Sequence, residues 1–251
     1  MTDAVAPPPG YAALRGPHAE GAARLDVVLA VDAILATGQT LHQWAAAQPG
    51  ARAMHGRGVL WALPLGGLAT VVRHVWHGGI FAPLTRDLHV SPTRAPGELA
   101  LALALSQRKV PTPDVLAYAT YRAPFGLRRA DVVTAELVGG EDLLAALIRA
   151  DAAEREGSLV PAVGELLAAL KAAGAWHPDL NLKNILLTAV PPRVHKAFVL
   201  DVDVVRLGTP GDAGFAQRNL DRLVRSAVKR RREMRSPVTG NDLRAWSRAI
   251  A

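Results

Sequence analysis

The chain contains no cysteine, which excludes disulfide bonds and thiolate metal centres and favours a reducing, cytoplasmic compartment. It also lacks a long apolar run. The best stretch, LDVVLAVDAILA from Leu25, is too short to span a bilayer and carries Asp26 and Asp32, which suits a core helix. The amino terminus has Asp3 and a PPPG run where a secretory signal would have a basic segment and an apolar core, so no signal is expected. Residues 1–24, rich in Ala, Pro and Gly, are expected to form a flexible extension. What is present suffices for a globular protein: 251 residues, of which 50% are hydrophobic. The net charge of +7 is unevenly placed. Arg218, Arg222, Arg225, Lys229 and Arg232 recur at spacings of four and three and share one helix face, while Leu220, Leu223, Val224, Ala227 and Val228 fill the other. Such a helix can pack on its own domain and present charge to an anionic surface, although a plain solvated basic face explains the same letters. The basic segment has no interleaved aromatics and no accompanying nucleic-acid motif, so no nucleic-acid partner is expected.

The run HPDLNLKNILL, His177 to Leu187, has the spacing His-x-Asp-x-x-x-x-Asn, and the strand-like AFVLDVD follows it, ending at Asp203. Transfer of a γ-phosphoryl group needs an aligned nucleophile and charge neutralisation, so carboxylate and amide oxygens must converge on a hard cation such as Mg²⁺. Asp179 and Asn184 supply these groups from one loop, and Ile185, Leu186 and Leu187 return the chain to the core. The apolar run Ala197 to Leu200 then delivers Asp201 at its end. In this arrangement Asp179 orients the attacking hydroxyl and Asn184 and Asp201 hold the metal, with His177 bracing the backbone.

Upstream the pattern turns to short strands. Val59 to Leu65 and Leu68 to Val75 flank a Gly66-Gly67 turn and suggest a hairpin. Arg73 in its second arm stands where kinases carry the strand lysine that contacts ATP phosphates, and an arginine offers two donors for that work. Its expected partner is Glu98, which opens ELALALAL; Pro96 and the Ala/Leu content favour helix there, although Leu99, Leu101, Leu103 and Leu105 alternate at strand period. Gly56 and Gly58 precede the hairpin and are candidates for a lid over ATP, though glycine pairs also occur in ordinary turns. The strand Val132 to Val138 runs into Gly139-Gly140 and a helix from about Glu141, as an interlobe hinge would; backbone groups around Glu136 to Val138 would then bind adenine, and a simple strand-to-helix connection is the alternative. Ser158 and Pro161 mark the start of a helix that Gly174 ends, and its apolar face is expected to anchor the His177 loop. About fifty residues follow Asp203, too few for the peptide-docking helices of a protein kinase, so the acceptor is expected to be a small molecule or lipid headgroup.

These blocks resemble the lipopolysaccharide kinase family, and within it the Kdo (3-deoxy-D-manno-octulosonic acid) kinases, over about residues 55 to 232. The likeness lies in His-x-Asp-Leu-Asn-x-x-Asn-Ile-Leu-Leu, in the Asp201-x-Asp203 pair, in GRGVLWALPLGGLATVVRHVWHGG (56–79) and in the basic NLDRLVRSAVK (219–229), with Asn181 and Asp203 the telling residues. The resemblance implies an α+β, two-lobed protein-kinase-like fold, with an N-lobe over 25–138 and a C-lobe over 139–251. It implies ATP and Mg²⁺ as cofactors, Asp203 as a second metal contact or loop element, and an anionic glycolipid or sugar as acceptor. It also implies peripheral contact with the cytoplasmic face of the inner membrane. The chain departs from the family where Trp76 and His77 replace paired arginines before Gly78-Gly79, and where Val202 replaces an aromatic. An aminoglycoside- or choline-kinase-like phosphotransferase shares the His-x-Asp loop and is the enzymatic rival; a catalytically silent binding module is the other.

Overall fold

The computed structural model describes residues 6–55, 58–76, 87–89, 93–190, 194–234 and 238–251. The chain divides into two compact units: Met1–Ala100 with Asp114–Glu136, and Leu101–Pro113 with Leu137–Ala251.

The first unit is built on a seven-stranded antiparallel sheet. Its strands are β1 (Tyr11–Arg15), β2 (Ala19–Arg24), β3 (Arg52–His55), β4 (Val59–Leu65), β5 (Leu68–His74), β6 (Val115–Arg122) and β7 (Arg128–Ala135), in the order β1-β2-β6-β7-β5-β4-β3. Helices α1 (Val28–Ala36) and α2 (Leu41–Ala46) supply Val31, Ile34, Leu35 and Leu41 to a core that also takes Leu14, Leu63, Leu65, Val72, Leu116 and Val133 from the strands. The expected β4–β5 hairpin is present, with Gly66 and Gly67 at φ 59° and 82°, the positive values that a two-residue hairpin turn requires.

The loose extension expected over residues 1–24 is corrected here. Residues 11–24 form β1 and β2, which pair with each other and then with β6. The small residues misread as linker composition allow close strand approach: a Cβ on Gly21 would lie 2.0 Å from the Tyr118 carbonyl oxygen. The Tyr11 hydroxyl adds a bond to the Val115 carbonyl at 2.6 Å. The boundary of the units also differs from the expected 138/139. It falls after Glu136, because β7 ends at Ala135, and residues 101–113 group with the second unit. The helix read from ELALALAL is α3 (Arg94–Gln107), and burial of Leu99, Ala102 and Leu105 shows the helical period prevailing over the alternation of leucines.

A buried carboxylate organises one end of the first sheet. Asp131 is fully buried and accepts from the His42 backbone N–H at 2.8 Å, from the Tyr121 hydroxyl at 3.0 Å and from His74 Nδ1 at 2.5 Å. Tyr121 in turn accepts the Leu41 N–H, so the start of α2 is tied to the sheet. The other ring nitrogen of His74 meets Asp87, which Arg129 also holds. With a carboxylate at each nitrogen, His74 is a double donor. Burial pushes its pKa down, but hydrogen bonding to Asp131, its charge, and the same contributions from Asp87 outweigh burial and leave the pKa raised.

The second unit surrounds α5 (Val160–Ala173), which starts with Pro161 in its first turn and ends at the left-handed Gly174, where a Cβ would lie 2.1 Å from the Thr209 carbonyl oxygen. Val163, Leu166, Leu167 and Leu170 form its buried face. Strand β8 (Glu141–Asp142) leads into α4 (Leu143–Arg149), which Asp142 caps through the Ala145 N–H. Strand β9 (Ala175–Trp176) enters the His177 loop, and β10 (Ile185–Val190) and β11 (Val194–Val199) leave it as an antiparallel pair beside β8. Strand β12 (Arg206–Leu207), α6 (Ala213–Met234) and α7 (Gly240–Ala249) complete the unit. Among the described residues no helix is long and apolar enough to cross a membrane.

The raised His74 pKa gives a pH dependence of stability. Its stabilising contribution is complete below the unfolded value of about 6.5 and is lost as pH rises through the higher folded value. The melting temperature of the wild type should therefore fall more steeply than that of His74→Gln as pH rises above about 6.5. Parallel curves for the two proteins would contradict this assignment.

Candidate functional site

The loop between β9 and β10 is closed around the His177 imidazole. This side chain is fully buried. Its Nε2 donates to the Leu200 carbonyl at 2.9 Å, its Nδ1 accepts the Asp179 N–H at 3.2 Å, and its own backbone N–H donates to Asn219 Oδ1 at 2.9 Å. Asn219 is also buried and donates its amide to the Ala175 carbonyl at 2.8 Å. One ring thus links the start of the loop, Asp179, and the residue before Asp201. The expectation that His177 braces the backbone agrees with these contacts.

Within the loop two amide side chains converge on the Asp179 carbonyl: Asn181 Nδ2 and Asn184 Nδ2, each at 2.9 Å. The Asn184 carbonyl accepts the Leu200 N–H at 2.9 Å, so Leu200 is held on both sides before the chain reaches Asp201. Asp201 is exposed and left-handed, at φ 54° and ψ 48°. A non-glycine residue there carries a conformational cost of about 1–3 kcal/mol that the surrounding bonds must offset. The turn sends Val202 into the core and leaves Asp203 half-buried in a short 3-10 turn. The donors that could hold a metal are the Asp201 carboxylate, the Asn184 Oδ1, opposite the amine that bonds Asp179, and Asp203. All are oxygen ligands, the kind a hard divalent cation takes. Among the described residues no three His, Cys, Asp or Glu side chains gather as a metal cluster.

Helix α6 supports this loop at three points. Asn219 holds the His177 N–H, Arg222 Nη2 donates to Asp179 Oδ1 at 3.0 Å, and Ser226 Oγ accepts the Leu182 N–H at 3.3 Å. Positions 219, 222 and 226 lie at helical spacing on one face. The sequence reading placed Arg222 in a basic stripe directed to an outside surface; it is half-buried and faces the loop. Arg218, Arg225 and Lys229 are exposed, Leu220, Leu223 and Ala227 are buried, and Val228, assigned to the apolar face, is 41% exposed. The Arg232 side chain lies outside the described residues. Arg218 stacks over Trp176 and Phe215 at 5.1 and 5.7 Å from their ring centroids, and Arg206 over Trp176 at 5.0 Å.

The first unit joins Arg73 and Glu98 in an ion pair, as expected, with Glu98 almost wholly buried. A buried carboxylate on a guanidinium fixes the direction in which the arginine projects. Gly56 lies outside the described residues, as do His77, Gly78 and Gly79. Gly58 is packed against the Trp76 indole, since a Cβ there would lie 2.5 Å from Nε1. The need for glycine at this position therefore has a packing cause. The Glu136 N–H donates to the Ala69 carbonyl, its carboxylate pairs with Arg52, and Val138 is 70% exposed.

A helix-braced His-x-Asp loop, an Asp at a left-handed strand end and an Arg–Glu pair beside a glycine hairpin define a kinase-type α+β protein. Comparison with solved structures agrees: "WaaP in complex with acyl carrier protein" superposes with a TM-score of 0.55 over 85% of this chain and 83% of that one, at 17% sequence identity. The chain has the protein-kinase-like fold. The sequence pattern of the Lipopolysaccharide kinase (Kdo/WaaP) family matches residues 42–249, and the chain belongs to that family. Among its relatives, the 3-deoxy-D-manno-octulosonic acid kinase of Actinobacillus succinogenes is 31% identical over 74% of this chain and 78% of its own length. The protein of the same name from Stenotrophomonas maltophilia strain R551-3 is 35% identical over 71% of this chain and 69% of its own.

The Asn219 brace is open to a direct test. Asn219→Ala removes the partners of the His177 N–H and the Ala175 carbonyl, each buried, and should lower unfolding stability by about 2–4 kcal/mol. Urea titration measures it; an unchanged midpoint would show that the loop is held by other contacts.

Proposed function

We propose that this protein transfers the γ-phosphoryl group of ATP to a sugar hydroxyl, and that the sugar is the 3-deoxy-D-manno-octulosonic acid residue of a lipopolysaccharide precursor. The observation that carries this reading is the closed loop in which His177 holds the backbone of Asp179 and of Leu200, the residue before Asp201. The acceptor is suggested by the relatives that bear the name of its kinase.

In the reaction the acceptor oxygen attacks the γ-phosphorus, a new O–P bond forms, the bond from phosphorus to the β–γ bridging oxygen breaks, and ADP leaves with that electron pair. Asp179 orients the hydroxyl and takes its proton late in the step. Asn184 and Asp201 would hold Mg²⁺, with Asp203 a further ligand or a support for the turn. When bound, the ion supplies charge neutralisation for the phosphates. Arg73, fixed by Glu98, would contact the ATP phosphates, and Gly58 would line the turn above them. Adenine would lie against backbone groups of 136–138; the Glu136 N–H is already engaged with Ala69, so this role falls to its carbonyl and to Val138. Arg225 and Lys229, exposed on α6, suit peripheral contact with an anionic membrane surface at its cytoplasmic face.

The test is transfer from labelled ATP with Mg²⁺ to Kdo-lipid A, an aminoglycoside and a protein acceptor. Label should enter Kdo-lipid A, and Asp179→Ala should fold yet lose about 10²–10⁴-fold or more in rate. Label in the aminoglycoside instead would favour the rival phosphotransferase, and silence with all three would favour a binding module. Presenting the glycolipid in anionic rather than neutral vesicles should raise the rate at low salt; equal rates would remove the membrane contact.

A further inference from the structure

The contact between Arg222 and Asp179 has no role in the mechanism as drawn. Arg222 comes from α6, lies 3.0 Å from Asp179 Oδ1, and both side chains are about two-fifths exposed, at 39% and 43%. An ion pair that open to water contributes little to stability. Its chemistry is more informative. Asp179 accepts from Arg222 through Oδ1, and carboxylate oxygens accept from hydroxyls as well as from guanidinium groups. Arginine carries five N–H donors in a rigid planar fork, and the bond to Asp179 is made through Nη2. The fork can therefore hold Asp179 and a second planar anion together, side by side. One helical turn earlier, Arg218 stacks on Trp176, the residue that precedes His177, and Arg206 stacks on the same indole. Within the second unit, Arg218 and Arg206 thus share the indole of the residue before His177, while Arg222 meets Asp179.

We infer that Arg222 reads the carboxylate of the sugar-acid acceptor, placing a hydroxyl of the same sugar on Asp179. The inference rests on the proposed function and narrows it. The acceptor must carry an anion within a few ångströms of the reacting hydroxyl, so a neutral sugar of the same shape is a poor substrate. Arginine suits the role better than lysine because a carboxylate and a guanidinium meet through two parallel bonds, which fix orientation as well as distance. The arrangement also explains why the acceptor-reading cation lies on α6: the helix that positions His177 through Asn219 sets the register between the recognised anion and Asp179.

The experiment compares wild type, Arg222→Gln and Arg222→Lys with three acceptors: Kdo-lipid A, its Kdo carboxyl methyl ester, and the dephosphorylated glycolipid with the carboxylate intact. Acceptor KM and kcat are measured, together with calorimetric binding of the methyl glycoside of Kdo and of its ester. Nucleotide affinity, measured separately, reports that each variant is folded. For wild type, esterification should cost about 10–100-fold in kcat/KM and in binding, the range for one charged hydrogen-bonded contact, while removal of the lipid phosphates should cost less. Arg222→Gln should lose a similar factor on the free acid and no longer distinguish acid from ester; Arg222→Lys should recover part of it. A Gln variant that still discriminates as the wild type does, or a wild type that discriminates by phosphate instead of carboxylate, would overturn the assignment. Binding that discriminates without turnover would leave the subsite standing and defeat the proposed reaction, so the two failures are separable.

Discussion

A single buried imidazole sets the geometry on which the rest of the second unit depends. His177 has no access to water, and each of its polar groups is spent on a backbone or side-chain partner: Leu200, Asp179 and Asn219. A buried polar ring is stable only if so satisfied, and the bonds that satisfy it are those that place Asp179 and fix the residue before Asp201. The left-handed turn at Asp201 is affordable because Leu200 is held from both sides, by His177 and by Asn184. Replacing the ring would therefore disturb the backbone at both Asp179 and Leu200, the residue before Asp201.

Helix α6 is the second element of this arrangement, and it combines three functions on adjacent faces. Leu220, Leu223 and Ala227 bury it against its own unit, Asn219 and Ser226 hold loop backbone, and Arg222 meets the Asp179 carboxylate. Arg218, Arg225 and Lys229 lie outside that strip and are exposed. The same helix thus packs on its own unit and supports the loop from adjacent faces. In the first unit Asp131 does comparable work: a buried carboxylate satisfied by a backbone N–H, a tyrosine and a histidine ties the start of α2 to β5 and β7. Both units place their irreplaceable polar groups inside, where a lost partner costs most.

Much of this was legible in the letters, and for physical reasons. HPDLNLKNILL sets His177, Asp179, Asn181 and Asn184 at fixed spacing ahead of an apolar exit, and that spacing is visible without the fold. Gly66-Gly67 and the Pro161 to Gly174 helix announce themselves because only certain backbones suit those residues. The Arg73–Glu98 pair follows from the spacing of kinase-like lobes. Other features depend on tertiary partners that leave no local trace. Residues 11–24 look like a linker because their strands are built from small side chains, and their pairing with β6 involves a segment about a hundred positions away. Asp131 reads as one acid within a strand until His42, His74 and Tyr121 converge on it. Arg222 has the same helical spacing as its exposed neighbours, and only the position of the loop turns it inward. Asn219 lies inside α6, and its partners, His177 and Ala175, are more than forty residues away in the chain.

The most direct measurement is a crystal structure of the protein with a non-hydrolysable ATP analogue and Mg²⁺. The account predicts oxygen atoms of Asn184 and Asp201 on the metal, Arg73 on the phosphates, and Asp179 off the metal, still joined to Arg222 and aimed at the space beyond the γ-phosphate. Metal or nucleotide bound elsewhere, with the His177 loop unengaged, would contradict it.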